Sequence, residues 1–232
     1  ATLDDKVTPK ISNLKIGIIT YSTNGSKAYD LVELTNESGV NSKNVNKLIE
    51  EIEALRAEGG TNTGDGLRKG ANMLNESKTD ANKAIIFMGD GEPTYYTYEV
   101  VSGESYWECN CTGTGFWGCG RNKCTSGNPC RYSHWWNNNC RQVIENINKY
   151  YTTLDYADKY VGGSGSGDDD GRSLGYATII GNIIKDKQYN VFTIGYGLGN
   201  EDSYANIKMK RIHESMGGIS SGEKSTFFAT DA

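Results

Sequence analysis

Apolar positions along the chain fall into two kinds of run. Leu14-Lys15-Ile16-Gly17-Ile18-Ile19-Thr20-Tyr21-Ser22 and Ala84-Ile85-Ile86-Phe87-Met88 are short, β-branched and nearly continuous, the pattern of strands covered on both faces. Val191-Phe192-Thr193-Ile194-Gly195 is a third such run, and residues 225–229 form a short last one. Between them the spacing becomes helical. Val45, Leu48, Ile49, Ile52 and Leu55 mark a helix over 45–57 that Gly59-Gly60 stops, and Leu67, Ala71 and Leu74 mark one over 63–74. Leu174, Ala177, Ile180, Ile183 and Ile184 mark a helix over 173–187, and another over 202–216 ends at Gly217-Gly218. Buried strands alternating with helices predict an α/β fold, a doubly wound and mostly parallel sheet with helices on both faces. Sheets of that kind bind ligands at the carboxyl ends of their strands, so those ends are where chemistry is expected.

The segment 95–172 interrupts the alternation. It predicts a core in two parts, 1–94 and 173–232, with an insertion over 95–172 in which 142–151 has the spacing of a short helix. All six cysteines (Cys109, Cys111, Cys119, Cys124, Cys130, Cys140) and all four tryptophans (Trp107, Trp117, Trp135, Trp136) lie in it. An even, clustered cysteine count favours a local disulfide knot formed in an oxidising compartment. The rival is structural zinc, but the spacing lacks the two paired C-x2–4-C knuckles such sites show. The tryptophans are either a recognition surface, where exposed aromatics are enriched, or the packing of the insertion's own small core.

Composition removes several functions. A net charge of −5 over 232 residues offers no basic field for nucleic acid or anionic lipid, and no apolar run is long enough to span a bilayer. The two histidines, His134 and His213, have no evident partner and read as structural residues. No Ser/His/Asp or Cys/His set is evident, so a binding module is expected rather than an enzyme.

Two predicted strand ends carry the remaining signal. Gly59-Gly60-Thr61-Asn62-Thr63-Gly64-Asp65-Gly66-Leu67 opens a helix, and Gly89-Asp90-Gly91-Glu92-Pro93-Thr94 leaves a strand. Together they resemble the second and third elements of the metal-ion-dependent adhesion site of von Willebrand factor A (vWA) domains. Residues 15–22, 191–197 and 224–232 resemble that family's other segments in order. The resemblance implies a Rossmann-like vWA fold with a divalent cation at the top of the sheet. Mg2+ is the first expectation, with Ca2+ or Mn2+ as alternatives. Thr61 would contribute a hydroxyl and Asp90 a carboxylate, the hard oxygen donors such ions take, with Glu92 a weaker candidate and Trp107, Trp117, Trp135 and Trp136 as ligand contacts. Taken alone, Thr61 also suits a helix cap and Asp90 a turn before glycine, and Asp65 reads as a first-turn residue favoured by the helix dipole.

The family's first element, D-x-S-x-S at the end of its central strand, is absent; Ser164-Gly165-Ser166-Gly167-Asp168-Asp169-Asp170 reads as a solvated loop. That strand would lie between 15–21 and 84–88. The expectation is therefore a sheet lacking its middle strand and a chain that by itself does not form a stable, metal-competent domain. An upstream segment or a neighbouring subunit would complete it. The resemblance implies an extracellular adhesion module, such as a bacterial pilus or surface adhesin, whose partner is a host or matrix protein or glycan. The alternatives are a eukaryotic matrix or receptor vWA domain, which N-x-[ST] sequons at Asn24, Asn36, Asn75 and Asn110 allow, a structural pilus subunit with a non-functional metal site, and an intracellular vWA subunit, for which a disulfide knot is out of place.

Overall fold

The computed structural model describes residues 14–34, 41–110, 122–124, 139–165 and 171–230. Two compact units divide it: residues 1–97 with 150–232, and residues 98–149.

The first unit begins with a hairpin. Strand β1 (Leu14–Tyr21) pairs antiparallel with β2 (Gly25–Leu34), from Leu14 opposite Leu34 to Tyr21 opposite Gly25. Residues 22–24 make the turn, with Ser22 N–H donating to the Asn24 carbonyl at 3.0 Å. Strand β2 was not visible in the apolar pattern, because Lys27, Asp30 and Glu33 interrupt it; pairing with β1 supplies what its composition does not. Helix α1 (Asn41–Glu53) follows, then α2 (Thr63–Glu76), capped by Asn62, whose Oδ1 accepts from Asp65 N–H at 3.2 Å.

A three-stranded parallel sheet comes next. Strand β3 (Ala84–Gly89) pairs with β8 (Asn190–Tyr196), and β8 with β9 (Phe227–Thr230), giving the order β3-β8-β9. Helices α3 (Arg172–Asp186) and α4 (Tyr204–Ser215) complete the unit. The core joins Leu67 and Ala71 of α2, Tyr176, Ala177, Ile180 and Ile184 of α3, and Met209 and Ile212 of α4 to Phe87, Val191 and Phe227. In-register alternation puts those three strand residues on one face of the sheet. Among the described residues these helices cover that face alone. Ile86, Met88, Phe192 and Phe228, on the opposite face, are exposed, where the apolar runs had predicted helices on both sides.

As expected, β1 and β3 are not paired with each other. Among the described residues β1 has only β2 as a neighbour, and β3 only β8. The elements β4 (Tyr95–Asn110), β5 (Asn122–Cys124), β6 (Asn139–Tyr150) and β7 (Tyr160–Gly163) form a separate sheet, ordered β5-β4-β6 with β7 also on β4. Strands β4 and β5 run antiparallel, with Trp107 opposite Cys124 and Cys109 opposite Asn122. Residues 142–151, expected as a short helix, belong mostly to β6. Val143, Ile144 and Ile147 have helical spacing but are β-branched, and β4 offers them an edge to pair with.

His213 is structural, as expected, and its environment has a consequence for stability. The buried ring lies with Nδ1 2.8 Å from Thr193 Oγ1 and Nε2 3.1 Å from Thr226 Oγ1 and 3.2 Å from the Ile219 carbonyl. A carbonyl only accepts, so Nε2 carries the proton and Nδ1 accepts from Thr193. Burial lowers the pKa of His213, against smaller raising effects of the Ile219 carbonyl and Glu214. The unfolded chain therefore takes up a proton at a higher pH than the folded one. Stability from the neutral ring is complete above the unfolded value of about 6.5 and declines as pH falls from there towards the folded value. Thermal melts from pH 8 to pH 5 should show this loss. A His213→Gln variant should lose that part of the slope, and an unchanged slope would contradict the assignment.

Candidate functional site

Three loops meet at one end of the first unit: the β1–β2 turn, the glycine-rich segment before α2, and the turn after β3. Asn62 is the joint between the first two. Its N–H donates to the Ser22 carbonyl at 2.6 Å, and its Nδ2 donates to the Thr23 carbonyl and Thr97 Oγ1, both at 3.0 Å. Thr61 joins the second to the third. Its N–H donates to Thr94 Oγ1 at 2.8 Å, and its carbonyl accepts from Thr94 N–H at 2.8 Å and Tyr95 N–H at 3.2 Å. Glycine at position 60 is required by a close approach, since a Cβ there would lie 1.9 Å from the Tyr95 ring. The two motifs read from the sequence are thus docked backbone to backbone.

Thr61 sits half-buried at the head of α2, and Asp90 is exposed just past the end of β3. Beside Asp90 lies the Tyr21 phenol. Its hydroxyl donates to the Met88 carbonyl at 2.5 Å, and burial, reinforced by the Asp90 charge, raises its pKa well above the ordinary tyrosine value. Glu92 is turned to α4, where it forms an ion pair with Lys208. Among the described residues no group of three or more His, Cys, Asp or Glu side chains converges on a point, so Thr61 and Asp90 are two hard oxygen donors without a third acid beside them. Of the aromatic candidates, Trp107 is described as strand backbone in the second unit, while Trp117, Trp135 and Trp136 lie outside the described residues. So do Cys111, Cys119, Cys130 and His134; Cys109, Cys124 and Cys140 are described as strand backbone.

One cluster was not foreseen. Asp65, read as an ordinary first-turn residue, is buried at the centre of a charge network. Its Oδ1 accepts from Arg68 Nε at 2.9 Å and Nη2 at 2.7 Å, and its Oδ2 from Gly25 N–H at 2.7 Å. Arg68, fully buried, also donates to the carbonyls of Thr153, Asp155 and Ala157 and to Asp155 Oδ1 at 2.7 Å, and its guanidinium stacks 5.0 Å from the Tyr151 ring centroid. Lys69 donates to the Gly25 carbonyl at 2.8 Å and Asp158 at 2.5 Å. Burial works against the Asp155 carboxylate, but hydrogen bonds from Tyr151, Ala157 N–H and Arg68 outweigh it and hold its pKa below the ordinary value. The network bolts residues 151–158 and the start of β2 to the helix whose head carries Thr61. The signal for it in the sequence is the spacing of Asp65, Arg68 and Lys69 on one helical face.

Residues 5–105 match the von Willebrand factor type A domain family. Two solved structures of the pilus adhesin SpaC from Lactobacillus rhamnosus GG are similar. One has 17% sequence identity and a TM-score of 0.46, and the other, in an open conformation, 20% and 0.47. Each likeness covers 94% of this chain and 23% of the SpaC chain, so the chain spans less than a quarter of that protein's length. No curated protein matches it in sequence.

Proposed function

We propose that the chain is an extracellular adhesion module, as in a bacterial pilus or surface adhesin, that engages its partner through a divalent cation held at the Thr61 and Asp90 loops. The observation that carries this reading is the docking of those two loops through Thr61 and Thr94 at a strand end, within residues matching the vWA family. The donor chemistry suits the ion. A hydroxyl and a carboxylate are hard oxygen ligands, and Mg2+ takes about six such positions while keeping several waters. When bound, the cation supplies a positive centre that an acidic group of the partner can complete. Thr61 and Asp90 would hold it, and the Asn62 hydrogen bonds keep the Thr61 loop in place before it arrives. Host or matrix proteins or glycans bearing carboxylates are the partner class this fits.

The chain is a binding module rather than an enzyme. His213, sealed against Thr193, Thr226 and Ile219, offers no accessible base. The six cysteines are read as three disulfides within the insertion, and thiol titration of the unreduced native protein should find none free; six free thiols or stoichiometric zinc would overturn that reading. Cation binding is tested with Mn2+, whose free and bound forms differ in their paramagnetic resonance. Thr61→Ala and Asp90→Ala should each weaken Mn2+ binding by the native protein at least about tenfold, since even outer-shell groups are worth that much, while circular dichroism stays unchanged. Equal Mn2+ affinity in wild type and both variants would reject the site.

A further inference from the structure

The turn after β3 is gripped at three points. At its start Gly89 is closely packed, and a Cβ there would lie 2.9 Å from the Tyr21 hydroxyl and 3.1 Å from Met209 Cε of α4. At its far end Thr94 is docked on Thr61 through both its N–H and its Oγ1. Between these, Glu92 is turned onto Lys208, the residue beside Met209 in α4. The paired side chains are only 27% and 20% exposed, so water competes little for either charge. The Lys208 ammonium also lies 5.9 Å from the Tyr204 ring centroid, one helical turn earlier, close enough for a cation–π contact. By contrast, the two residues between the first two grips are open. Asp90 is exposed, and a Cβ at Gly91 would meet nothing within 4 Å.

Two carboxylates therefore stand two residues apart in one turn, with an unpacked glycine between them, and only one is available to a ligand. How many carboxylates a site offers bears on which cation it prefers. Ca2+ takes about six to eight oxygens in flexible geometry, often with a carboxylate bound through both of its oxygens, and its affinity follows the count of charged ligands. Mg2+ takes about six in near-ideal octahedral geometry, keeps several waters and makes do with one or two carboxylates. Thr61 and Asp90 by themselves make a sparse site of the second kind. Glu92, if released, would add a second carboxylate and move the site towards the first.

We infer that Lys208 sets the ion preference of the site: by holding Glu92 on α4 it keeps that carboxylate off the cation and so favours Mg2+ over Ca2+. The inference rests on the cation reading proposed above. Lys208 acts through Glu92 and not on the ion, which makes it a positioning residue.

The test titrates Mg2+ and Ca2+ separately against Mn2+ bound to the native protein, reading the released Mn2+ by its paramagnetic resonance. Both competing ions carry the same charge, so the ratio of their affinities cancels the general field of a lost lysine and reports ligation. Lys208→Met keeps the apolar stem but loses the charge, and it should move the ratio towards Ca2+ by about tenfold, the effect of one added charged ligand. Lys208→Arg, which can keep the pair, should hold the wild-type ratio. Glu92→Gln added to Lys208→Met should restore that ratio, and Glu92→Gln alone should leave it unchanged. An unchanged ratio in Lys208→Met, with wild type still binding Mn2+ in an Asp90-dependent way, overturns the inference and leaves the site standing. So does an equal shift in the double variant, because the effect then does not pass through Glu92. A ratio that moves towards Mg2+ in Glu92→Gln alone would mean that Glu92 already ligates, and this arm decides even where Lys208→Met does not fold. Wild type that binds no Mn2+ removes the site and the inference together.

Discussion

Arg68→Ala should be the most damaging single substitution in the first unit, costing about 3–5 kcal/mol, the range for breaking one partner out of a buried ion pair. The side chain is fully buried and makes six hydrogen bonds, to Asp65 twice, to three backbone carbonyls and to Asp155. Alanine leaves the buried Asp65 carboxylate with Gly25 N–H and with Lys69, whose Nζ stands 3.6 Å from Oδ2. It also strips the carbonyls of Thr153, Asp155 and Ala157 of their donor, and each unsatisfied buried group costs about 1–3 kcal/mol. Against a usual domain stability of about 5–15 kcal/mol, that loss should bring the unit close to unfolding. Urea titration followed by circular dichroism measures it, and limited proteolysis should show cleavage within 151–159 first. Removing the charge from both sides, Asp65→Asn with Arg68→Met, should cost less than Arg68→Met alone, because no unpaired carboxylate remains. A change below about 1 kcal/mol for Arg68→Ala, the usual value of an exposed pair, would show that the network is not closed as described.

The network also shows where reading from sequence stops. Strands β1, β3 and β8 and helices α2, α3 and α4 were visible because each carries its own apolar run or periodicity. Strand β2 was not, since Lys27, Asp30 and Glu33 interrupt its apolar residues and it gains its order from β1. Strand β6 was misread because Val143, Ile144 and Ile147 satisfy a helical spacing as well as a strand, and only the pairing with β4 decides. At the site, Thr61 and Asp90 stood out because two motifs named them, and the gap between β1 and β3 followed from an element those motifs lacked. Asp65 and Arg68 were hidden for a different reason. Three residues apart on a helix they look like a surface pair, and the partner that marks them as buried, Asp155, is 87 residues from Arg68.

On the proposed function, Asp90→Ala should abolish cation-dependent adhesion while leaving the fold intact. The residue is exposed beyond the end of β3, so truncation leaves no cavity and breaks no ladder hydrogen bond, and stability should stay within the about ±0.5 kcal/mol typical of surface changes. Function should respond differently. If a partner carboxylate is bound through the cation, losing the Asp90 carboxylate removes both the metal and the contact it makes. The central claim is most directly tested by retention of the native protein on cell-derived extracellular matrix, in Mg2+ and again after chelation. Retention should depend on Mg2+, return when the ion is restored, and be absent in Asp90→Ala. Retention unchanged by chelator, with Asp90→Ala holding as well as wild type, would contradict it.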